Sequence, residues 1–131
     1  MLHTRARLGS AGEDLAAEYL RGKGYAIIAR NVRTRVGELD IVCLAPRHTK
    51  FWRRREVVFV EVKTRRSLAF GTPAEAVTRV KQQHLVRAAH AYLAGSREFR
   101  RAPFRIDVIA IMAPPNGAPE ITHFPSAVGA I

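Results

Sequence analysis

A chain of 131 residues with 47% hydrophobic and 25% charged content is the right size and make-up for one domain with its own core. Its 22 Lys and Arg against 11 Asp and Glu leave a formal net charge of +11, which points to an anionic partner, nucleic acid ahead of membrane, more than to solubility alone. Cys43 is the only cysteine, so an internal disulfide is excluded. The apolar runs are too short to span a bilayer, and Arg5, Arg7, Glu13 and Asp14 interrupt the region a signal peptide would need. These features predict a cytoplasmic protein without a membrane partner.

Residues 1–9 read as a short basic leader, expected to be mobile, and residues 10–131 as a single domain. Ser10-Ala-Gly-Glu13 matches a capping box at a helix start. Leu15, Ala16, Tyr19 and Leu20 follow at helical spacing, with Gly24 as the stop. Tyr25 to Ala29 reads as a short strand and Asn31 to Val36 as a basic turn. Gly37 to Leu44, GELDIVCL, is a strand in which Cys43 belongs to the core. Pro46 to Arg55 is a basic loop, and Val57 to Lys63, VVFVEVK, a further strand. Thr72-Pro-Ala-Glu75 is a second capping box, opening a helix to about Leu93. Val77, Val80, His84 and Leu85 lie on its apolar side, and Gly95 ends it. Phe104 to Met112 is an apolar strand, Pro114 to Gly117 a turn, and Ile121 to Phe124 a short last strand. The order predicts an α/β sandwich with a mixed sheet and helices on its faces.

The chemistry concentrates between Gly37 and Lys63. Glu38, Asp40 and Glu61 interrupt apolar runs, where a carboxylate needs a partner or a metal. Strand alternation puts Glu61 and Lys63 on one face, and Glu38, Asp40, Val42 and Leu44 together in the preceding strand. If the strands pair, Asp40 lies beside Glu61 and Lys63 and the three could form a divalent-metal site.

Gly12-Glu13, Gly24-Tyr25, Asn31, Gly37-Glu38-x-Asp40, Phe59-Val60-Glu61-Val62-Lys63, Lys81 and Arg105-Ile106-Asp107 together resemble the YraN family of bacterial proteins, over roughly residues 11–111. More remotely they resemble the restriction-endonuclease-like PD-(D/E)xK superfamily, which includes Holliday junction resolvases. That resemblance implies a three-layer sandwich with a core of helix, three strands, helix and strand. It implies that Asp40 and Glu61 are metal ligands, Lys63 the catalytic lysine and Glu13 a supporting acid, and, by analogy with resolvases, a two-fold homodimer. The loop from Pro46 to Arg55 departs from the family pattern in length and basic charge.

Phosphodiester hydrolysis asks for the same residue types on its own account. A water must be activated near neutral pH and developing negative charge must be countered, and Mg²⁺ or Mn²⁺ held by carboxylates supplies both. Asp40 and Glu61, with the Val62 carbonyl, would hold the ion. Simpler roles compete: helix capping for Glu13, a Glu61–Lys63 salt bridge, an arginine partner for Glu38, an Arg105 partner for Asp107, and a core position for His84. Arg53, Arg54 and Arg55 beside Trp52, with Arg33, Arg35, Arg65, Arg66 and Lys81, are candidate phosphate contacts or solvated charges; Gln82, like Lys81, could face substrate. The resulting expectation is a metal-dependent DNA endonuclease, structure-selective because no base-reading motif is visible. The alternative is a nucleic-acid-binding protein of the same fold without turnover, which could dock on RNA.

Overall fold

A computed structural model gives the backbone of residues 4–47, 55–66 and 77–128. Helix α1 (Thr4–Gly22) is followed by strands β1 (Ala26–Thr34), β2 (Gly37–Leu44) and β3 (Val57–Arg65), helix α2 (Arg79–Ala94), and strands β4 (Phe104–Met112) and β5 (Glu120–Val128). The strands form one five-stranded sheet in the order β1-β2-β3-β4-β5. β3 and β4 run parallel and every other neighbouring pair is antiparallel, so the sheet is mixed. Among the described residues the connection that must cross a face is β3 to β4, and it carries α2.

Each sheet face is apolar and, among the described residues, each is covered by one helix. Ala16, Ala17 and Leu20 of α1 pack on Ile41, Cys43, Val58, Val60, Ile109 and Ile111. Leu85, Ala88, Ala89 and Leu93 of α2 pack on Val42, Val57, Phe59 and Ile106. The central strands read as near-continuous apolar runs because both of their faces are buried. Small residues bring α1 close to β3. A Cβ added at Gly12 would collide with Thr64 Oγ1, so glycine is what permits this approach. The result is the expected α/β sandwich of helix, sheet and helix, compatible with a nuclease-like fold.

Several boundaries differ from expectation. α1 begins at Thr4, so residues 4–9 of the basic leader are helical, and Ser10 lies inside the helix instead of capping it. Glu13 is therefore not held by a capping box. At the other end the Tyr25 and Gly24 N–H groups donate to the Leu20 and Arg21 carbonyls, both at 3.0 Å, with Gly24 at φ +93° as the stop.

β1 does not end at Ala29. It passes through Asn31, which takes φ 52°, and pairs with β2 as far as Thr34↔Gly37. The turn there is closed by Thr34, whose hydroxyl donates to the Gly37 carbonyl at 2.7 Å and accepts from the Val36 N–H. Asparagine tolerates the left-handed conformation that would have ended the strand at most other residues.

The second capping box at residues 72–75 lies outside the described residues. Val77 and Thr78 are not helical, and Thr78 is the N-cap of α2, accepting from the Lys81 N–H at 3.2 Å. Val80 and His84 are exposed, not on the apolar side, while Leu85 is buried. Gly95 ends α2 as expected. β5 extends past Phe124 to Val128, because a bulge around Ser126, at φ 51°, lets the strand re-pair with Ile106.

Candidate active site

β2 and β3 pair from Leu44↔Val57 to Ile41↔Val60. One residue further on stands Asp40 on one strand and Glu61 on the other. Asp40 Oδ2 accepts the Val62 N–H at 2.8 Å, so its side chain satisfies a backbone donor where the ladder ends. Asp40 lies opposite Asn31, since Arg30↔Ile41 and Val32↔Leu39 flank that pair. The sheet is irregular here. Leu39 packs in the same cluster as Val42, although alternation would put them on opposite faces. The left-handed Asn31 thus coincides with the place where Asp40 turns toward β3.

Glu61 is 3% exposed and meets two amines: Lys63 Nζ at 3.3 Å and Lys81 Nζ at 3.6 Å. The sequence put Lys63 there by strand parity. It left Lys81 between substrate and solvent, because only the docking of α2 brings it over β3. Burial, then the neighbouring Glu61 charge, push the Asp40 carboxyl up to about 6, against the relief given by the Val62 N–H and by Lys81. Two carboxyl groups crowded this closely cannot both ionise freely without a counter-charge.

Glu13 of α1 lies near enough to Asp40 for their charges to interact. Burial and the Asp40 charge raise its pKa, while Arg30 and a hydrogen bond with Asn31 oppose the rise. Arg30 is 3.8 Å from Glu13 and 2.8 Å from Asp14.

The donors suit a hard divalent cation, which prefers oxygen ligands and would replace the proton that crowding favours at Asp40. A strand residue points its N–H and C=O to the same neighbour, so the Val62 carbonyl is directed toward the side on which Asp40 sits. The set as it stands is a pair of acids rather than three: among the described residues no group of three or more His, Cys, Asp or Glu is close enough to hold an ion. Asp40, Glu61 and the Val62 carbonyl fit the role, with Glu13 held back by Arg30.

The predicted phosphate contacts divide. Arg33 and Arg35 are exposed and line a groove of about 700 Å³ against the end of α2, with Tyr92 on its other side. Arg66 is also exposed, and Arg65 donates to the Thr64 carbonyl at 2.9 Å. Arg55 is half-buried and its Nε donates to the Ala45 carbonyl at 2.8 Å, which makes it an anchor for the returning loop. Arg53 and Arg54 lie outside the described residues. Glu38 is exposed and stands across from Arg33.

A second polar cluster lies around Asp107, which is fully buried in β4. It accepts from Arg105 Nε at 3.0 Å and the Ser126 N–H at 2.9 Å, and pairs with His123 Nε2 at 2.7 Å. Arg105 also donates to Glu56 at 2.8 Å and to the Tyr25 hydroxyl at 2.7 Å. Burial alone would push the Asp107 carboxyl up, but the bonds from His123, Arg105 and Ser126 together hold it below its ordinary value. Asp107 is thus the structural partner of Arg105 that the sequence suggested, and it pins the β5 bulge. His123 was not visible as a member, since nothing local to β5 signals a partner sixteen residues away.

Among the described residues no helix is long and apolar enough to cross a membrane. The model of the uncharacterised protein family UPF0102 matches residues 12–111. A UPF0102 protein of Syntrophotalea carbinolica is 50% identical over 127 residues, covering 97% of this chain and 95% of the relative. One from Mycobacterium sp. (strain KMS) is 48% identical over 92% of this chain and 84% of its own length. One from Symbiobacterium thermophilum is 48% identical over 85% of this chain and 86% of its own length. The matched segment holds Glu13, Asp40, Glu61, Lys63, Lys81 and Asp107, and on this likeness the chain belongs to the UPF0102 family.

Proposed function

We propose that this protein is a metal-dependent endonuclease that hydrolyses phosphodiester bonds in DNA and favours branched or partly unpaired structures. One observation carries the reading: Asp40, Glu61 and Lys63 meet where β2 and β3 part, with Asp40 pushed up to about 6 by burial and its acidic neighbour. Two acids crowded this way are an arrangement that metal-dependent sites use to hold an ion. The net charge of +11 suits a polyanion.

Bound Mg²⁺ or Mn²⁺ would lower the pKa of a water and counter the charge of the transition state. Asp40, Glu61 and the Val62 carbonyl would hold it. Lys63 would orient the attacking water or meet the developing charge on phosphate oxygens, its amine being kept in position by Glu61 at 3.3 Å. Glu13 would assist through a water. The site of action would be the bacterial cytoplasm, and by analogy with resolvases the acting unit would be a two-fold homodimer.

The binding-only reading draws support from a different observation. Lys63 and Lys81 both lie within 4.0 Å of Glu61, so the acid is satisfied without an ion. Incubation with branched, flapped, single-stranded and duplex DNAs in Mg²⁺ or Mn²⁺ separates the two. Cleavage that disappears in Asp40→Ala supports the nuclease. Binding with no cleavage above a mock purification supports the alternative.

A further inference from the structure

A second cavity opens on the α2 face of the sheet beside the acidic pair. Its volume is about 440 Å³, within the range of about 300–1,000 Å³ for small-molecule sites. Val77 and Gln82 form one wall, Val108 the floor, and His123, Phe124, Pro125 and Ala127 of β5 the other wall. Val108 is the register partner of Glu61 in β3 and of Phe124 in β5. Glu61, Val108 and Phe124 therefore form one row across three strands. With strands about 4.8 Å apart, the row puts the Phe124 backbone roughly 10 Å from that of Glu61. On the helix side Gln82 directly follows Lys81, whose amine reaches Glu61.

Phe124 is 39% exposed at the rim of this cavity, a large apolar ring left facing solvent. Gln82 donates through its side-chain nitrogen to the Val77 carbonyl at 3.2 Å, which leaves its amide oxygen as the polar group that wall can offer. An apolar cavity with an aromatic rim and the Gln82 amide, with His123 also in its lining, fits a nucleobase. Its floor residue Val108 is the register partner of Glu61, in a site that would grip a phosphodiester, and this sets which base: one belonging to the strand held there. A base inside a duplex is stacked and paired and cannot enter, so the occupant must be unpaired.

We infer that the cavity between the start of α2 and the β5 bulge receives one unpaired nucleobase of the DNA strand whose backbone lies at Asp40 and Glu61, stacked on Phe124. The inference rests on the nuclease reading and supplies its selectivity. Base–aromatic stacking tolerates any sequence because every base offers a π-face, so the pocket selects structure and not sequence.

The test uses metal-free binding at fixed salt to a duplex, to the same duplex with a one-nucleotide bulge, and to the bulge with an abasic site. The wild type should bind the bulge tighter than the abasic bulge by roughly 5- to 100-fold, the range that base–aromatic stacking supplies. Phe124→Ala should erase that difference while duplex affinity holds. Ala127→Trp, which fills the cavity from its exposed side, should do the same by the opposite route, so a folding defect in one variant does not decide the outcome. Equal affinity of the wild type for the base and abasic bulges, or a bulge preference that survives both substitutions, overturns the pocket and leaves the nuclease reading standing. A wild type that binds none of the three overturns both.

Discussion

Lys81 Nζ stands 3.6 Å from the Glu61 carboxylate, on the helix that crosses from β3 to β4. Lys63 reaches the same carboxylate at 3.3 Å from its own strand. Asp40, across from Glu61 where the ladder ends, has no such amine among the described residues and accepts a backbone N–H instead. The two acids thus sit side by side in unequal surroundings, with the Asp40 carboxyl pushed up to about 6. Unequal surroundings of paired titratable groups are how one site comes to divide roles between them.

The sign of the Asp40 shift gives a stability prediction. The ordinary value is 3.8 and the folded value about 6, so between these pH values the native state binds more protons than the unfolded state. Stability from this group is lost as pH rises through that window, by on the order of 2–3 kcal/mol. Asp40→Asn retains an acceptor for the Val62 N–H and removes the charge. Urea unfolding at pH 4.5 and pH 8 should show the variant more stable than wild type at pH 8, with the gap closing at pH 4.5. The comparison isolates Asp40 from Asp107, whose lowered pKa costs stability on acidification in both proteins. A variant less stable at pH 8 would contradict the crowding of the two acids.

Metal binding separates the carboxylates from the lysine. Calorimetry with Mn²⁺ at pH 7.5 should show binding lost in Asp40→Asn and Glu61→Gln but kept in Lys63→Ala, since the oxygen ligands remain there. Cleavage should stop in all three. Wild-type affinity for Mn²⁺ should weaken as pH falls through about 6, where the ion competes with the proton on Asp40. Binding kept in Asp40→Asn and lost in Lys63→Ala would reverse the assigned roles.

DNA affinity should fall with salt by about 0.9 log unit per neutralised phosphate for each log unit of salt. Arg33→Gln with Arg35→Gln should reduce the slope by about 1.8 if both exposed guanidiniums meet phosphates. Arg55→Gln should leave the slope alone and lower the melting temperature, because its guanidinium is committed to the Ala45 carbonyl. A slope unchanged in the double variant would move the phosphate track away from the β1 groove.

Gly12→Ala should destabilise the protein by about 1–3 kcal/mol through the collision with Thr64 Oγ1. Thr64→Ala removes that oxygen, so the double variant should recover much of the loss. A double-mutant cycle by urea unfolding measures the coupling. Additive effects would show that α1 can shift off β3 without resistance from Thr64.

Much of this was legible in the sequence, for reasons that differ by element. β2, β3 and β4 are long runs of buried apolar residues, and Glu61 and Lys63 declare their shared face by spacing alone. Asp40 was legible by pairing. What parity could not show is the irregularity at Asn31, which alternation assumes away. Helix starts were misplaced because capping-box letters at Ser10 compete with a helix that already exists, while Thr78, the actual cap of α2, has no Glu or Gln three residues on. The pairing of Lys81 with Glu61, and His123 altogether, escaped because the partners come from distant chain. Local spacing carries no information about which residues a crossover or a bulge will bring together.

Cys43 lies fully buried in β2, with its thiol donating to the Val58 carbonyl at 3.5 Å. Burial, reinforced by Asp107, pushes it up to about 12. Such a thiol offers almost no thiolate, so oxidants and alkylating reagents meet an inert group while the sheet is closed. Since it is the chain's single cysteine, any thiol labelling of the protein must wait for the central strands to open. The molecule therefore carries its own chemical clock for opening of the sheet, three strand positions from Asp40, in the strand that supports the candidate site.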